Sequence, residues 1–166
     1  MRVLGVDPGT AITGYGVVDA VPARPGRLIE CGVLRTRARD PLPGRLQQVY
    51  EGLADIIARH RPDVLAVEGV FYGSNARTTL ILGHARGVVL LAAAVADVPV
   101  IEYSPAQIKK AVVGRGAALK PQVGYMVARL LQLQRPPAPA DAADGVAVAL
   151  AHLLIGTRRR PAPLVE

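Results

Sequence analysis

Aromatic residues and cysteine are scarce in this 166-residue chain. Aromatics make up 4% of it, with one Phe and no Trp, so an aliphatic core is expected. Cys31 is the one cysteine, which excludes a disulfide within the chain and favours a reducing compartment. No signal-peptide pattern opens the chain. The most apolar run, VVLLAAAVADVPVI, is interrupted by Asp97 and Pro99 and is too short to span a bilayer. These absences predict a cytoplasmic protein with no membrane partner.

Acidic residues are in the minority. The chain has 13 Asp and Glu against 20 Lys and Arg, a formal net charge of +7. This excess favours a polyanionic partner such as nucleic acid, although a basic surface that serves only solubility is the simpler alternative. The length predicts one domain, which we place at 1–157. We expect the basic, proline-broken tail at 158–166 to be disordered.

Apolar periodicity and turn residues predict an α/β order. Three strands, at 2–7, 13–19 and 27–36, are separated by Pro/Gly turns, which is typical of an antiparallel meander. Helices then alternate with single strands: helix 44–60, strand 64–68, helix 75–96, strand 99–103, a short helix from Pro105, helix 120–133 and helix 141–156. This order predicts a five-stranded mixed sheet, antiparallel in its first three strands and then parallel, flanked by helices.

Four carboxylates lie at the ends of apolar elements. Asp7 ends the run VLGVD, Glu68 ends VLAVE, and Asp141 and Asp144 share one face of a predicted helix start. Each has an ordinary explanation: a turn former, an exposed strand-end charge, or an N-cap with an acid three residues on. No Lys or Arg lies in their immediate flanks. Since buried carboxylates are costly unless paired, the set favours a hard divalent cation such as Mg²⁺ or Mn²⁺.

Four blocks of sequence carry a family resemblance. They are VLGVDPGTAITGYGVV, VEGVFYGSNARTTLILGHARGVVL, QIKKAVVGRGAALKPQV and PADAADGVAVALAH, in that order within 1–157. Together they resemble the RuvC family of Holliday-junction resolvases. The resemblance implies a ribonuclease-H-like fold, a homodimer, a branch-migration helicase partner, and cleavage of four-way junction DNA to 5′-phosphate and 3′-hydroxyl ends. It assigns catalytic and metal-ligand roles to Asp7, Glu68, Asp141 and Asp144, around two Mg²⁺ (or Mn²⁺) ions per subunit.

Two aromatic residues, Phe71 and Tyr72, follow Glu68 in a predicted loop. They either fold back into the core or face DNA, and the resemblance implies that Phe71 stacks on bases at the junction centre. The next residues, GSN, lack a lysine that is common there in the family. Arg77 and Arg86, on the long helix, are weaker candidates for backbone contacts.

Four cations surround the segment GRGAALK: Lys109, Lys110, Arg115 and Lys120. They form either a solvated charged loop or a phosphate-contacting one, in which Gly114 and Gly116 would let backbone N–H groups approach the phosphate. The resemblance implies that Lys109 and Lys120 lie near the scissile phosphate.

Glycines also interrupt the predicted helices. Gly83 and Gly87 lie four residues apart on the long helix, a spacing that allows close packing within the chain or, as the resemblance implies, between two copies. A C₂ dimer suits the approximate two-fold symmetry of a junction. Gly124 and Gly145 each cost roughly 1 kcal/mol relative to Ala in a helix, and Gly145 could loosen the acidic turn. We expect His152, about two turns beyond Asp144, to be structural.

Three other functions are open at this point. The start of the chain also resembles the phosphate loop of actin-like and sugar-kinase ATPases, but those folds need two such domains and a longer chain. A non-catalytic junction-binding module would need no acids, and all four are present. A ribonuclease-H-fold nuclease acting on RNA hybrids would share the acids, but the loop aromatics and the glycine-bearing helix favour branched DNA.

Overall fold

The sheet lies at the centre of the structure, with helices on both faces. The computed structural model describes residues 1–69 and 76–156, and in the second range it describes side chains from residue 78. The elements, in chain order, are β1 Arg2–Asp7, β2 Ile12–Val21, β3 Arg24–Arg35, α1 Leu42–His60, β4 Val64–Glu68, α2 Ala76–Val95, β5 Val100–Tyr103, α3 Pro105–Val113, α4 Lys120–Leu130 and α5 Ala140–Gly156.

The five-stranded mixed sheet expected from the sequence is confirmed. Its strand order is β3-β2-β1-β4-β5. Strands β1, β2 and β3 pair antiparallel, whereas β4 pairs parallel with both β1 and β5. Between their charged ends, central strands β1 and β4 are apolar, since both of their faces are covered by helices.

The largest departures from the expected boundaries are in the β2–β3 hairpin and at the end of α4. The hairpin between β2 and β3 is tighter than expected, because Val21 pairs with Arg24 and Ala23 adopts a positive φ of 64°. Helix α4 ends at Leu130 instead of 133. The left-handed backbone of Gln132, with φ of 57°, cannot continue the helix.

Aliphatic side chains fill both sides of the sheet, as the shortage of aromatics predicts. Leu4 and Val6 of β1 pack with α1 and α2 on one face. On the other face Val3 packs with α3, α4 and α5. The alternation along β1 therefore assigns every second residue to the α5 face, which includes Gly5 and, at the strand end, Asp7.

Helix α5 lies directly against β1 and β2 because glycines occupy the crossing. A Cβ on Gly14 would collide with the carbonyl of Asp141, and one on Gly145 would come within 2.5 Å of Tyr15 Cα. This corrects the expectation that Gly145 only weakens its helix. Its missing side chain lets α5 approach β2, which sets the first turns of α5 beside the end of β1.

Candidate active site

Asp7 and Glu68 are neighbours through strand register. The parallel pairing of β1 and β4 aligns Val6 with Val67, and the two acids are the next residue on each strand. Adjacent strands lie about 4.8 Å apart. Both acids lie in the same strand alternation as the residues that face α5, since Val64 and Ala66 of β4 belong to the same cluster as Val3. Their carboxylates are therefore directed to one side of one sheet edge.

Helix α5 adds the remaining acids. Asp144 lines a cavity of about 130 Å³ together with Asp7 and Glu68. Asp141 is not among the lining residues, but it is close enough to raise the pKa of Asp7. The helix begins at Ala140, so Asp141 lies within its first turn and is not the N-cap that one sequence interpretation made it. The structure thus gathers three of the predicted acids in one cavity and places the fourth nearby.

Without a bound cation, the cavity disfavours the ionised form of its carboxyl groups. Burial, with the nearby Asp144 carboxylate adding to it, raises the pKa of Asp7 to about 6. Burial followed by repulsion from Asp7 and Asp144 raises the pKa of Glu68 to about 7. The two carboxylates therefore repel each other in a poorly solvated cavity.

Lysines enter the cavity from the sequence-distant helices α3 and α4. Lys109 and Lys120 both line it. Lys120, the first residue of α4, places Nζ 2.8 Å from Asp144 Oδ2, and this hydrogen bond raises the pKa of the lysine. The acids thus have cationic neighbours in space that their sequence flanks did not reveal. The absence of Lys or Arg beside the acids in sequence therefore does not by itself require a metal.

The carboxylate oxygens of the cavity suit a hard divalent cation, although the side chains are not yet arranged around a single metal position. Across the described part of the chain, no three Asp, Glu, His or Cys side chains are arranged to hold a metal ion as they stand. The cavity nevertheless supplies only carboxylate oxygens, the ligands that Mg²⁺ and Mn²⁺ prefer. Two of them carry raised pKa values, which a divalent ion would lower.

The other predicted DNA contacts are dispersed. Lys110 is exposed on a different side of α3 from Lys109, in a surface groove that Leu154 and Ile155 also line, and Arg115 is exposed outside the cavity. The Gly114 N–H is engaged within the protein. That group caps α3 by donating to the carbonyl of Lys110, 3.0 Å away, with a φ of 89°.

Part of the predicted set lies outside the described residues. This holds for Phe71, Tyr72 and the side chain of Arg77, and also for the tail at 158–166. Arg86 is described, and its guanidinium pairs with both carboxylate oxygens of Glu102 instead of standing free for DNA.

Gly83 and Gly87 lie on the exposed side of α2. A Cβ added to either would meet nothing within 4 Å. The interpretation that they serve close packing within the chain is therefore wrong for the residues that the structure describes.

A buried hydrogen-bonded pair, Tyr103 and His152, lies behind the site and was not indicated by the sequence. The hydroxyl of Tyr103 lies 2.9 Å from Nδ1 of His152, and the Gly69 N–H donates to the Tyr103 carbonyl at 2.9 Å. Tyr103 pairs in register with Glu68. The pair therefore joins α5 to the strand end that bears Glu68. His152 is buried, in the structural position expected.

The sheet order, the acidic edge and the flanking helices define a ribonuclease-H-like fold of the resolvase type. The yeast mitochondrial Holliday junction resolvase shares this fold, with a TM-score of 0.69 at 15% identity over 95% of this chain and 79% of that one. The sequence profile described as "Crossover junction endodeoxyribonuclease RuvC" matches residues 3–152, and the chain belongs to the RuvC family.

Two close relatives span nearly the whole chain. The crossover junction endodeoxyribonuclease RuvC of Pelotomaculum thermopropionicum is 53% identical over 152 residues, 92% of each chain. The structure titled "T. thermophilus RuvC in complex with Holliday junction substrate" superposes with a TM-score of 0.89 at 36% identity, over 95% of this chain and 96% of that one.

Proposed function

We propose that this protein is a crossover junction endodeoxyribonuclease that resolves Holliday junctions in DNA recombination and repair. It nicks opposed strands in pairs, with a divalent metal, and leaves 5′-phosphate and 3′-hydroxyl ends. One observation carries the proposal: in a chain of the RuvC family, Asp7, Glu68 and Asp144 share a cavity with Lys109 and Lys120.

The four acids would hold the metal. Asp7, Glu68, Asp141 and Asp144 would together supply the carboxylate ligands for two Mg²⁺ or Mn²⁺ ions. When bound, such ions supply an activated water and stabilise the leaving 3′ oxygen. Burial of Asp7 and Glu68 keeps their carboxylates poorly solvated, which strengthens their attraction for a cation. Lys109 and Lys120 place ammonium groups at the cavity wall, where they would bind the scissile phosphate.

The remaining proposed contacts extend from the cavity to the junction. Phe71 would stack on bases at its centre, and the other residues would contact bases or backbone there: Tyr72, Arg77, Lys110 and Arg115. Because GSN replaces the lysine-bearing segment after the aromatics, the net charge of Lys109, Lys110, Arg115 and Lys120 would carry more of the backbone affinity.

The apolar face of α2 supports a homodimer. Leu80, Leu91 and Val95 are 66%, 54% and 64% exposed. By length and composition alone, Thr78–Val95 could cross a membrane, and most of it is not buried in the single chain. An exposed apolar helix face needs a covering. A second copy, brought close by Gly83 and Gly87, would cover it and present two active sites to a two-fold junction.

The dimer proposal is tested by sedimentation of Gly87→Glu. A charge at the centre of that face should convert the dimer to a folded monomer that binds junctions weakly. A dimer that persists at low micromolar concentration would overturn this arrangement.

We further propose a cytoplasmic enzyme that works with a branch-migration helicase and has no membrane partner.

The activity is tested by strand-resolved cleavage of a mobile four-way junction with Mg²⁺, Mn²⁺ or EDTA. Paired symmetric nicks that need a metal are expected from the wild type, and Asp7→Asn should lose them while it still binds the junction. Asp55→Asn is the matched control, because Asp55 is an exposed acid on α1.

Each alternative function has its own outcome in this assay. Tight binding without cuts under every metal would indicate a non-catalytic binding module. Faster cleavage of an RNA–DNA hybrid than of the junction would indicate a hybrid-directed nuclease. Cuts that persist in Asp7→Asn would place the active site elsewhere.

A further inference from the structure

Three exposed arginines lie at or just beyond the end of β3 and have no acidic partner among the described residues: Arg35, Arg37 and Arg39. We call residues 35–39 the arginine loop. Within the described ranges, other guanidinium groups, such as Arg2, Arg27 and Arg59, are paired with carboxylates. The nearest acid in sequence, Asp40, instead accepts a hydrogen bond of 2.6 Å from the Gln48 amide. The positive charge of the arginine loop is therefore available to a partner.

The arginine loop is fastened to the segment that follows Asp7. The Thr36 N–H donates to the Ala11 carbonyl at 3.1 Å, and the Thr36 hydroxyl donates to the Thr10 carbonyl at 2.6 Å. Arg45, on α1, donates from Nε to the same hydroxyl at 3.1 Å. These bonds hold the loop at the end of the sheet where strand β1 ends in Asp7.

The arginines and the lysines flank the carboxylates from opposite directions. Strand β3 is two positions from β1 in the sheet, a separation of about 10 Å. Lys109 belongs to α3, which continues directly from β5 at the other side of the sheet. A nucleic acid strand that crosses the cavity would therefore meet cations before and after the acids. A spacing of about 10 Å equals the rise of about three nucleotides along one DNA strand.

We propose that Arg35, Arg37 and Arg39 form a second phosphate-binding surface, which holds the backbone of a junction arm about three nucleotides from the cleaved bond. This inference rests on the proposed function. Guanidinium groups suit it because they remain charged at any working pH and bind phosphate oxygens bidentately.

The test is the salt dependence of junction binding, measured in EDTA with the Asp7→Asn protein so that no cleavage occurs. Each lost phosphate contact reduces the slope of log affinity against log salt by about 0.9. The triple variant R35Q/R37Q/R39Q should therefore lose about two to three units of slope, and about tenfold or more in affinity at moderate salt. The charge-preserving variant R35K/R37K/R39K should keep most of the slope.

The matched control removes three cations from the opposite end of the strands. Arg24 begins β3, and Arg27 and Arg61 line the surface around Met1 and Arg2. The variant R24Q/R27Q/R61Q changes net charge equally and should shift the slope by less than about one unit. Equal losses in both triples, or no loss in either, would overturn the inference. Metal-dependent cleavage by wild type in parallel decides the proposed function separately, and thermal unfolding of all variants confirms that they fold.

Discussion

Lys120 Nζ lies 2.8 Å from Asp144 Oδ2, so a largely exposed lysine at the cavity wall pairs with one of the partly buried acids. The two residues are 24 positions apart, and the ammonium group lowers the pKa of both Asp7 and Glu68. The ion pair thus offsets part of the repulsion in the metal-free site. In the proposed site, the metal ligand Asp144 and the phosphate-binding Lys120 would therefore be paired with each other before metal and DNA bind.

Removal of that ammonium should raise both carboxyl pKa values further. In Lys120→Gln, we expect Asp7 to titrate above about 6 and Glu68 above about 7 in the metal-free protein, because a favourable charge is lost. Carboxyl-carbon NMR titration of labelled protein measures this. Lys110→Gln is the control, since Lys110 lies on another side of α3. Equal shifts in both variants would contradict a specific role for Lys120.

The metal-free protein should lose stability as pH rises from about 5 to 8. Both carboxyls have folded pKa values above the unfolded ones of about 3.9 and 4.3, so the folded state binds more protons across that window. The expected decrease in the free energy of unfolding is about 2–4 kcal/mol, since a shift of one pKa unit corresponds to about 1.4 kcal/mol and the two groups are coupled. His152, with its pKa lowered by burial, contributes in the opposite direction at the acidic end.

Urea unfolding with and without Asp7→Asn isolates the acidic site from His152. The neutral amide should flatten the pH dependence and make the metal-free protein more stable than wild type at about pH 8. Asp55→Asn should change stability by only about 0.5 kcal/mol, because it removes an exposed i,i+4 ion pair. An unchanged pH dependence in Asp7→Asn would show that burial of this carboxyl is not costly.

Saturating Mg²⁺ at about pH 8 should reverse much of this loss in wild type. A ligand that binds only the folded state stabilises it, and here it also relieves carboxylate repulsion. We expect thermal unfolding to shift upward for wild type and Asp55→Asn but not for Asp7→Asn. Equal shifts in all three proteins would indicate a general ionic effect.

Two helix glycines should respond in opposite directions to alanine. In Gly145→Ala, the new Cβ would lie 2.5 Å from Tyr15 Cα, so α5 must move away from β2 at a cost of about 1–3 kcal/mol or more. In Gly124→Ala, the nearest atoms lie 3.8 and 3.9 Å away, so helix propensity should add up to about 1 kcal/mol. Denaturant unfolding measures both. Stabilisation by Gly145→Ala would contradict the close seating of α5.

Loss of the Tyr103 hydroxyl should leave the buried His152 ring without its partner. We expect Tyr103→Phe to cost about 1–3 kcal/mol of unfolding free energy, the usual penalty for an unsatisfied buried polar group. Tyr125→Phe, at an exposed position on α4, should cost far less. Similar costs in the two variants would show that the buried hydrogen bond contributes little.

Local pattern was enough to predict most of the secondary structure and the positions of the acids along the chain. Apolar runs bounded by turn residues predicted β1 and β4. Each strand ends at the acid that terminates its apolar run, Asp7 in β1 and Glu68 in β4. Periodicity predicted α1 and α5 well, since an amphipathic or fully buried helix shows its spacing locally. It was less reliable for the β2–β3 hairpin and the end of α4, where single residues at positive φ decide the boundary.

The amino-acid sequence by itself determined a basic, aliphatic α/β chain with four carboxylates at element ends. Only the tertiary structure decided what those groups face. Strand register aligned Asp7 with Glu68, the glycine crossing brought α5 against β2, and α4 delivered Lys120 to Asp144. The tertiary structure also holds the arginine loop beside the segment that follows Asp7, through the Thr36 hydroxyl. Contacts between residues far apart in sequence depend on the packing of whole elements, which no local pattern encodes.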